Sequence, residues 1–417
     1  VIVNVFPKLS ETFILNQITG LLDLGHEVMI FAEYNPNENK VHLDIEIYQL
    51  MDRVLYFDIP QNKIKRVLKA SYLIITNFYK HPIKIFKSLT LFRYGKSALS
   101  LQGLYFSIPF LDTNFDIIHC HFGPNGIIGA SLKEIGVESK IITTFHGYDM
   151  STFILNNGTG VYNDLFSKGD LFLAISEHWE KKLVELGGDA KKIMVHRMGI
   201  DLEKFEYSER KIRPGESVKI LTVGRLVEKK GHKYAIKALA KLINKHKNVI
   251  YKIVGDGYLR GELESLVTEL GIENYVKFLG DVEDEELFRL YHDSHIFVLP
   301  SVTARNGGQE GIPVVLMETQ AAGLPVISTF HSGIPEVVLD GESGFLVPER
   351  DVDALTKKLE YLVLHPEIWP EMGRAGRKFI ELRYDVRKLN QQLVKICEVL
   401  LTDNMTILEL KESKRSN

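Results

Sequence analysis

Short apolar runs alternate with stretches whose apolar residues recur every three to four positions, a rhythm that predicts strands alternating with helices. In the first half the runs are "VIVNVF" at 1–6, "EVMIFA" at 27–32, "FDIIHC" at 115–120, "KIITTF" at 140–145 and "DLFLAI" at 170–175. A helix is expected between the first two, opened by Ser10 as N-cap and stopped near Gly25. Another follows Ser176 as "EHWEKKLVELGG". The rhythm pauses at "RKIRPGESV" (210–218) and restarts with "KILTVG", "VIYKIVG", "VKFLG", "HIFVLP", "LPVIST" and "GFLVP". Strands that alternate with helices in this way build parallel α/β sheets. The expected fold is α/β, with two doubly wound Rossmann-like domains over 1–207 and 208–385. A further helix is expected at about 386–401, and a frayed polar tail from Thr402. In such folds ligands bind at the carboxyl ends of the strands, in a cleft where two such edges can face one another. The residues that follow each strand are therefore the ones to inspect.

The chain's 417 residues are 45% hydrophobic and 25% charged, with a net charge of −3, as in ordinary globular proteins of two domains. Two distant cysteines, Cys120 and Cys397, exclude a disulfide framework and point to a reducing compartment. No apolar run approaches membrane-spanning length, and no signal peptide is visible. The sequence opens inside an apolar run without a methionine, so an upstream start is expected, and any targeting signal there would lie outside it. One charge asymmetry changes the picture. From 59 to 111 there are nine cations (Lys63, Lys65, Arg66, Lys69, Lys80, Lys84, Lys87, Arg93 and Lys96) and no Asp or Glu. The apolar residues mixed among them include Tyr72, Leu73, Ile74, Ile75, Phe78, Tyr79, Ile83, Ile85, Phe86, Leu89 and Phe92. A solvated basic face would not need these, and a nucleic-acid surface is set aside for the same reason. The pattern fits an anionic membrane surface.

Chemistry concentrates in five post-strand segments. In "QEGIPVVLMETQAAG" Pro313 suits the first helical position and Gly323 the stop. Glu310 then lies just outside the helix and Glu318 inside it. The helix start, at Gly311, Ile312, Pro313 and Val314, favours an anion such as a phosphate. Carboxylates on either side suit the hydroxyls of a sugar–diphosphate–nucleoside, although a capping Glu310 and a solvated Glu318 fit the same spacing. In "VGRLVEKKGH", after the strand "KILTV", Gly224, Arg225 and Lys230 suit a diphosphate, as they also suit a solvated basic turn. "TTFHGYD" places His146 and Asp149 after a first-half strand. "FPKLSETF" offers Ser10 and Glu11 in the loop after the first strand, and Gly255 in "VGDG" permits a close approach. His119 and His121 share one face of their strand while Cys120 faces the other, and no second cluster completes a metal site.

Together, "VGRLVEKKG", "QEGIPVVLMETQAAGLPVIST" and "HSGIPEVVLDGESGFLVP" resemble the family 4 retaining glycosyltransferases of GT-B fold. "FPKLSETFI" and "SVTARNGGQEGIPVVLME" are similar to the branch that builds bacterial exopolysaccharide, colanic-acid-type and O-antigen polymers. The resemblance implies that Glu310 holds hydroxyls of the donor sugar and Glu318 the ribose. Arg225 and Lys230 would neutralise the leaving diphosphate, with no metal site needed, and His146 would sit at the donor sugar near Asp149. It also implies an acceptor-binding first domain, onto which the last helix packs back, and a nucleotide-sugar-binding second domain. The loop at Pro7–Glu11 departs from the Gly-Gly pair common in the family. The implied activity is transfer of a hexose from a UDP-sugar to a saccharide hydroxyl, with no cofactor. The saccharide is expected to be polyprenyl-diphosphate-linked, at the inner face of the plasma membrane. A sugar-nucleotide epimerase on the same fold and a catalytically silent sugar-nucleotide-binding scaffold remain alternatives. A Rossmann oxidoreductase is disfavoured, since no G-x-G-x-x-G follows a first-half strand.

Overall fold

The computed structural model describes residues 1–8, 11–36, 41–90, 101–402 and Glu409. Two compact units divide the chain. The first comprises Val1–Ile175, Glu180–His196 and Asn390–Asn417, the second Ser176–Trp179 and Arg197–Leu389. The main boundary thus falls at 196/197 rather than near 207.

The first unit holds a seven-stranded parallel sheet. Its strands are β1 (Ile2–Val5), β2 (Ile30–Tyr34), β3 (Val54–Tyr56), β4 (Ile117–His121), β5 (Lys140–Phe145), β6 (Leu171–Ala174) and β7 (Ile193–Val195). Their order is β3-β2-β1-β4-β5-β6-β7, so the sheet reverses direction between β1 and β4. The second unit repeats the plan with β8 (Val218–Val223), β9 (Val249–Val254), β10 (Val276–Gly280), β11 (Ile296–Val298), β12 (Val326–Thr329) and β13 (Gly344–Val347). The order there is β10-β9-β8-β11-β12-β13, with the reversal between β8 and β11. Both reversals leave crevices at the carboxyl ends of the strands, where ligands bind in doubly wound sheets.

Helices cover both faces, so central strands have no polar side to show. Leu171, Phe172, Leu173 and Ala174 are all fully buried, which explains why β6 reads as an unbroken apolar run. The helix Val386–Leu401 begins in the second unit, and from Asn390 onward it belongs to the first. Its Leu393 and Ile396 pack among Ile142, Leu171, Leu173 and Met194, and the Asn390 side chain donates to the Asn16 carbonyl at 3.0 Å. Burying each such aliphatic side chain contributes roughly 1.5–3 kcal/mol.

Two helix starts differ from expectation. Ser10 lies outside the described residues; the helix Thr12–Asp23 is preceded by Glu11, whose side chain pairs with Lys8 at 2.7 Å instead of capping. Pro313 stands one position before the helix Val314–Ala321, with ψ at 114°. An extended ψ removes it from the helix, but its carbonyl still accepts the first turn's bond from the Leu316 amide at 3.0 Å.

Candidate active site

Glu310 is the most strongly perturbed carboxylate of the second unit. Its side chain is 6% exposed and stands between two ammonium groups, Lys230 at 3.1 Å and Lys229 at 3.5 Å. Burial pushes its pKa up, but the two lysines outweigh burial and hold it at about 2. Burial also lowers the Lys230 pKa, against the pull of Glu310. The site therefore carries two cations around one fixed anion, an arrangement with positive charge to spare for a phosphate. The amides that open the helix Val314–Ala321 have no side-chain cap and add their dipole to the same sign.

Glu318 sits within that helix and accepts a 2.7 Å hydrogen bond from the Tyr291 hydroxyl. Burial raises the pKa of both groups. This contact fixes one carboxylate oxygen and leaves the other as an acceptor for a hydroxyl donor.

Backbone geometry brings these loops together. Gly231 has φ +71°, and a Cβ there would lie 1.9 Å from the Pro300 carbonyl oxygen, so only glycine fits between the turn and the end of β11. Gly255 has φ +117°, and a Cβ would lie 2.4 Å from the Gly224 carbonyl oxygen. The close approach foreseen at Gly255 is thus to the neighbouring strand-end loop. The ring of His232 meets the Arg225 carbonyl at 3.0 Å and holds the same turn. The Arg225 side chain is exposed and has no side-chain partner among the described residues. Gly311 and Ile312 link Glu310 to the helix, and the Ile312 side chain is core, 3% exposed, so this link can offer a ligand only its main chain.

Three residues linked in a chain of hydrogen bonds to the Glu310 amide carry no signal in the local sequence. That amide donates to Nε2 of His331 at 3.0 Å, and Nδ1 of His331 lies 2.6 Å from Glu349. Glu349 also accepts from the Thr303 amide at 2.9 Å. An amide can only donate, so Nε2 is the unprotonated nitrogen and the ring proton faces Glu349. The register pairs Thr329 with Val347, which sets His331 and Glu349 side by side two residues beyond each strand. Only the pairing of β12 with β13 shows this. Lys229 was within reach of sequence reading, beside Lys230 in the same turn.

In the first unit, His146 follows β5 and packs against Phe13 and Phe122, with ring centroids 4.7 and 4.6 Å away. Its Nε2 lies 3.1 Å from Nδ1 of His121, and His119 stacks on His121 at 4.6 Å. Burial lowers the His146 pKa to about 3 and takes those of His119 and His121 well below the ordinary value. All three rings are neutral. Asp149 is fully buried and accepts from the amides of Gly123, His146 and Gly147 at 2.8–3.2 Å. Burial raises its pKa to about 6 against these bonds. Asp149 therefore shapes the loop that carries His146, and its oxygens are occupied by the backbone.

Comparison with known proteins fits this geometry. Residues 203–379 match the family model of "Glycosyl transferases group 1", and residues 10–204 match that of "Glycosyltransferase Family 4". The putative colanic acid biosynthesis glycosyltransferase WcaL of Salmonella typhimurium is 36% identical over 403 residues, covering 95% of this chain and 98% of that one. The chain belongs to the family 4, group 1 glycosyltransferases. The amylovoran biosynthesis glycosyltransferase AmsK of Erwinia amylovora is also 36% identical, with the same coverage. Among solved structures, Anabaena Alr3699/HepE in complex with UDP and glucose superposes with TM-score 0.69 at 18% identity, over 95% of this chain and 99% of that one. A glycosyltransferase from Rickettsia africae reaches 0.70 at 20% identity, over 97% and 99%. The fold of this glycosyltransferase is GT-B.

Proposed function

We propose that this glycosyltransferase moves a hexose from a UDP-sugar, with retention of configuration and without a divalent ion, to a hydroxyl of a polyprenyl-diphosphate-linked saccharide in exopolysaccharide assembly. The observation that carries the donor half is Glu310 between Lys229 and Lys230 beside the uncapped start of the Val314–Ala321 helix. Glu310 holds hydroxyls of the donor sugar, Glu318 holds the ribose, and the helix amides take the diphosphate. As the bond between anomeric carbon and diphosphate oxygen breaks, UDP leaves with the electron pair, and Lys230 and Arg225 offset the growing charge. The acceptor oxygen bonds to that carbon on the same face, its proton passing to the departing diphosphate. Support for UDP comes from HepE, whose structure holds UDP and glucose. Support for exopolysaccharide comes from the colanic acid and amylovoran relatives.

The membrane half rests on the helices Lys63–Phe78 and Pro82–Thr90. No helix among the described residues is long and apolar enough to cross a membrane. A surface helix ordinarily turns its polar side to water. Here the outward side carries Ile64, Leu68, Tyr72, Ile75, Tyr79, Ile83 and Phe86, all at least 66% exposed. Leu73, Ile74 and Ile85 pack inward instead, whereas Phe92, Arg93 and Lys96 lie outside the described residues. This apolar side, flanked by lysines without a single acid from 59 to 111, lies on an anionic bilayer at the cytoplasmic side.

The test is release of UDP or GDP from a panel of UDP-hexoses and GDP-mannose, with and without lipid extract, in EDTA and in Mg²⁺. UDP release that needs lipid and survives EDTA supports the proposal. Loss of activity in EDTA, or preference for GDP-mannose, overturns the metal or UDP assignment. Conversion of the donor sugar without any acceptor marks an epimerase, and nucleotide binding without turnover marks a silent scaffold.

A further inference from the structure

At the carboxyl ends of β2 and β3 the first unit has a solvent-open pocket of about 760 Å³, within the range of small-ligand sites. It is separate from the reversal between β1 and β4, and none of the donor residues lines it. Its lining combines Tyr34 and Tyr56 with Glu33, Asp58, Gln61 and Arg66. Tyr56 is held by donating to the Phe6 carbonyl at 2.9 Å, and Tyr34 is 54% exposed. Arg66 donates through Nε to the Pro60 carbonyl at 2.8 Å. That bond orients the guanidinium and leaves its two terminal nitrogens without a partner among the described residues.

This chemistry selects a ligand class. An apolar ligand would strand the Glu33, Gln61 and Arg66 side chains without their hydration, at a cost for each. A nucleoside diphosphate would meet the Glu33 carboxylate and an Asp58 already paired with Lys69, with Arg66 as the one cation in the lining. A pyranose suits both halves of the lining: its C–H faces lie on tyrosine rings, and its neighbouring hydroxyls bridge the paired oxygens and nitrogens of carboxylate, amide and guanidinium. Arg66 also belongs to the helix whose outward side is apolar, so a saccharide anchored in a bilayer has its lipid end near the same element.

We propose that this pocket is a saccharide subsite that holds pyranose units of the acceptor away from the reacting hydroxyl. The proposal rests on the glycosyltransferase reading above and adds where the acceptor glycan is gripped. It is tested by saturation-transfer NMR on the whole protein, with the donor site filled by excess UDP. The probes are lactose, cellobiose and the methyl α-glycosides of glucose, galactose, fucose and mannose. At least one probe is expected to bind in the presence of UDP, to lose affinity tenfold or more in Tyr34→Ala and Arg66→Ala, and to keep it in Glu318→Ala. Melting curves identify a variant that fails to fold, and the exposed Tyr34 then carries the test. The proposal is overturned if no probe binds beside UDP, or if folded Tyr34→Ala binds as the wild type does. Failure of the transferase reading looks different: wild-type protein would release no nucleotide from any donor, while saccharide binding beside UDP would persist.

Discussion

The Glu310 amide donates to Nε2 of His331 at 3.0 Å, and the opposite edge of that ring meets Glu349 at 2.6 Å. The backbone of Glu310, the carboxylate proposed to bind the donor, is thus held by a histidine whose own orientation is set by a second carboxylate. A lost buried hydrogen bond costs about 1–3 kcal/mol, and each 1.4 kcal/mol is a factor of ten in rate. His331→Ala should therefore lower kcat roughly tenfold to a hundredfold while UDP affinity, which the proposed function assigns to Glu318, stays within about twofold. His331→Gln, whose amide oxygen can accept from the Glu310 amide, should recover part of the loss. Steady-state kinetics with calorimetry on free UDP checks both. Equal loss of kcat and UDP affinity, with no rescue by glutamine, would mean a merely structural histidine.

The two glutamates should fail differently. Glu310→Gln keeps the volume but removes the charge between Lys229 and Lys230, so turnover and sugar selectivity should drop about a hundredfold with UDP affinity little changed. Glu318→Ala removes an acceptor already oriented by Tyr291 and should weaken UDP binding roughly tenfold to a hundredfold, as for a hydrogen bond to a charged group. Calorimetry separates the cases, since similar UDP affinity in both variants would erase the division between sugar and ribose.

How far the sequence carried this reading depends on range. Central strands such as β6 were legible because both faces are buried and every residue is apolar. Of the three-residue strands, β3 and β7 were not, although β11 was. In β3 the middle residue, Leu55, is 46% exposed, so no apolar run marks it. Glu310, Glu318 and Lys230 were legible because helix start, turn and strand end are contiguous. The partnership of His331 with Glu349 was invisible, because it needs the register of β12 on β13. The role of Asp149 was set by three amides from two segments that meet only in the fold.

Acid should destabilise the protein well above the carboxylate range. Burial lowers the pKa of His146 to about 3 and of His232 to about 4, from an ordinary 6.5. A histidine depressed in the folded state binds its proton more readily when unfolded, so its contribution is complete above pH 6.5 and is lost as pH falls towards the folded value. At pH 5 each such group has lost about 2 kcal/mol. Asp149, raised to about 6, works the other way and returns about 1 kcal/mol over the same interval. Glu310, at about 2, gives up its share only below pH 4.5. The melting temperature should fall by roughly 4–8 °C between pH 7.5 and pH 5.0. An equal or higher value at pH 5.0 would mean that these histidines are solvated or paired.

The outward side of the Lys63–Phe78 and Pro82–Thr90 helices gives the last prediction. Ile75 and Phe86 are 75% and 67% exposed, and neither supports the core. Replacing both with serine should therefore leave the melting temperature within about 2 °C, since surface changes away from packed features usually stay within about 0.5 kcal/mol. At a bilayer the same change removes two inserted groups, each contributing about 1.5–3 kcal/mol when fully buried and less at the interface. Lysines near an anionic surface add on the order of 1 kcal/mol each, and salt screens that share alone. Binding to vesicles of anionic lipid should thus fall at least tenfold in the double variant at low salt. Raising the salt should weaken wild-type binding without abolishing it, because the apolar share persists. Neutral vesicles should retain only the apolar share. Co-sedimentation of wild type and double variant on both vesicle types distinguishes the outcomes. Equal binding of the two proteins would move the contact elsewhere, and no binding by the wild type to anionic vesicles would make a soluble acceptor the better reading.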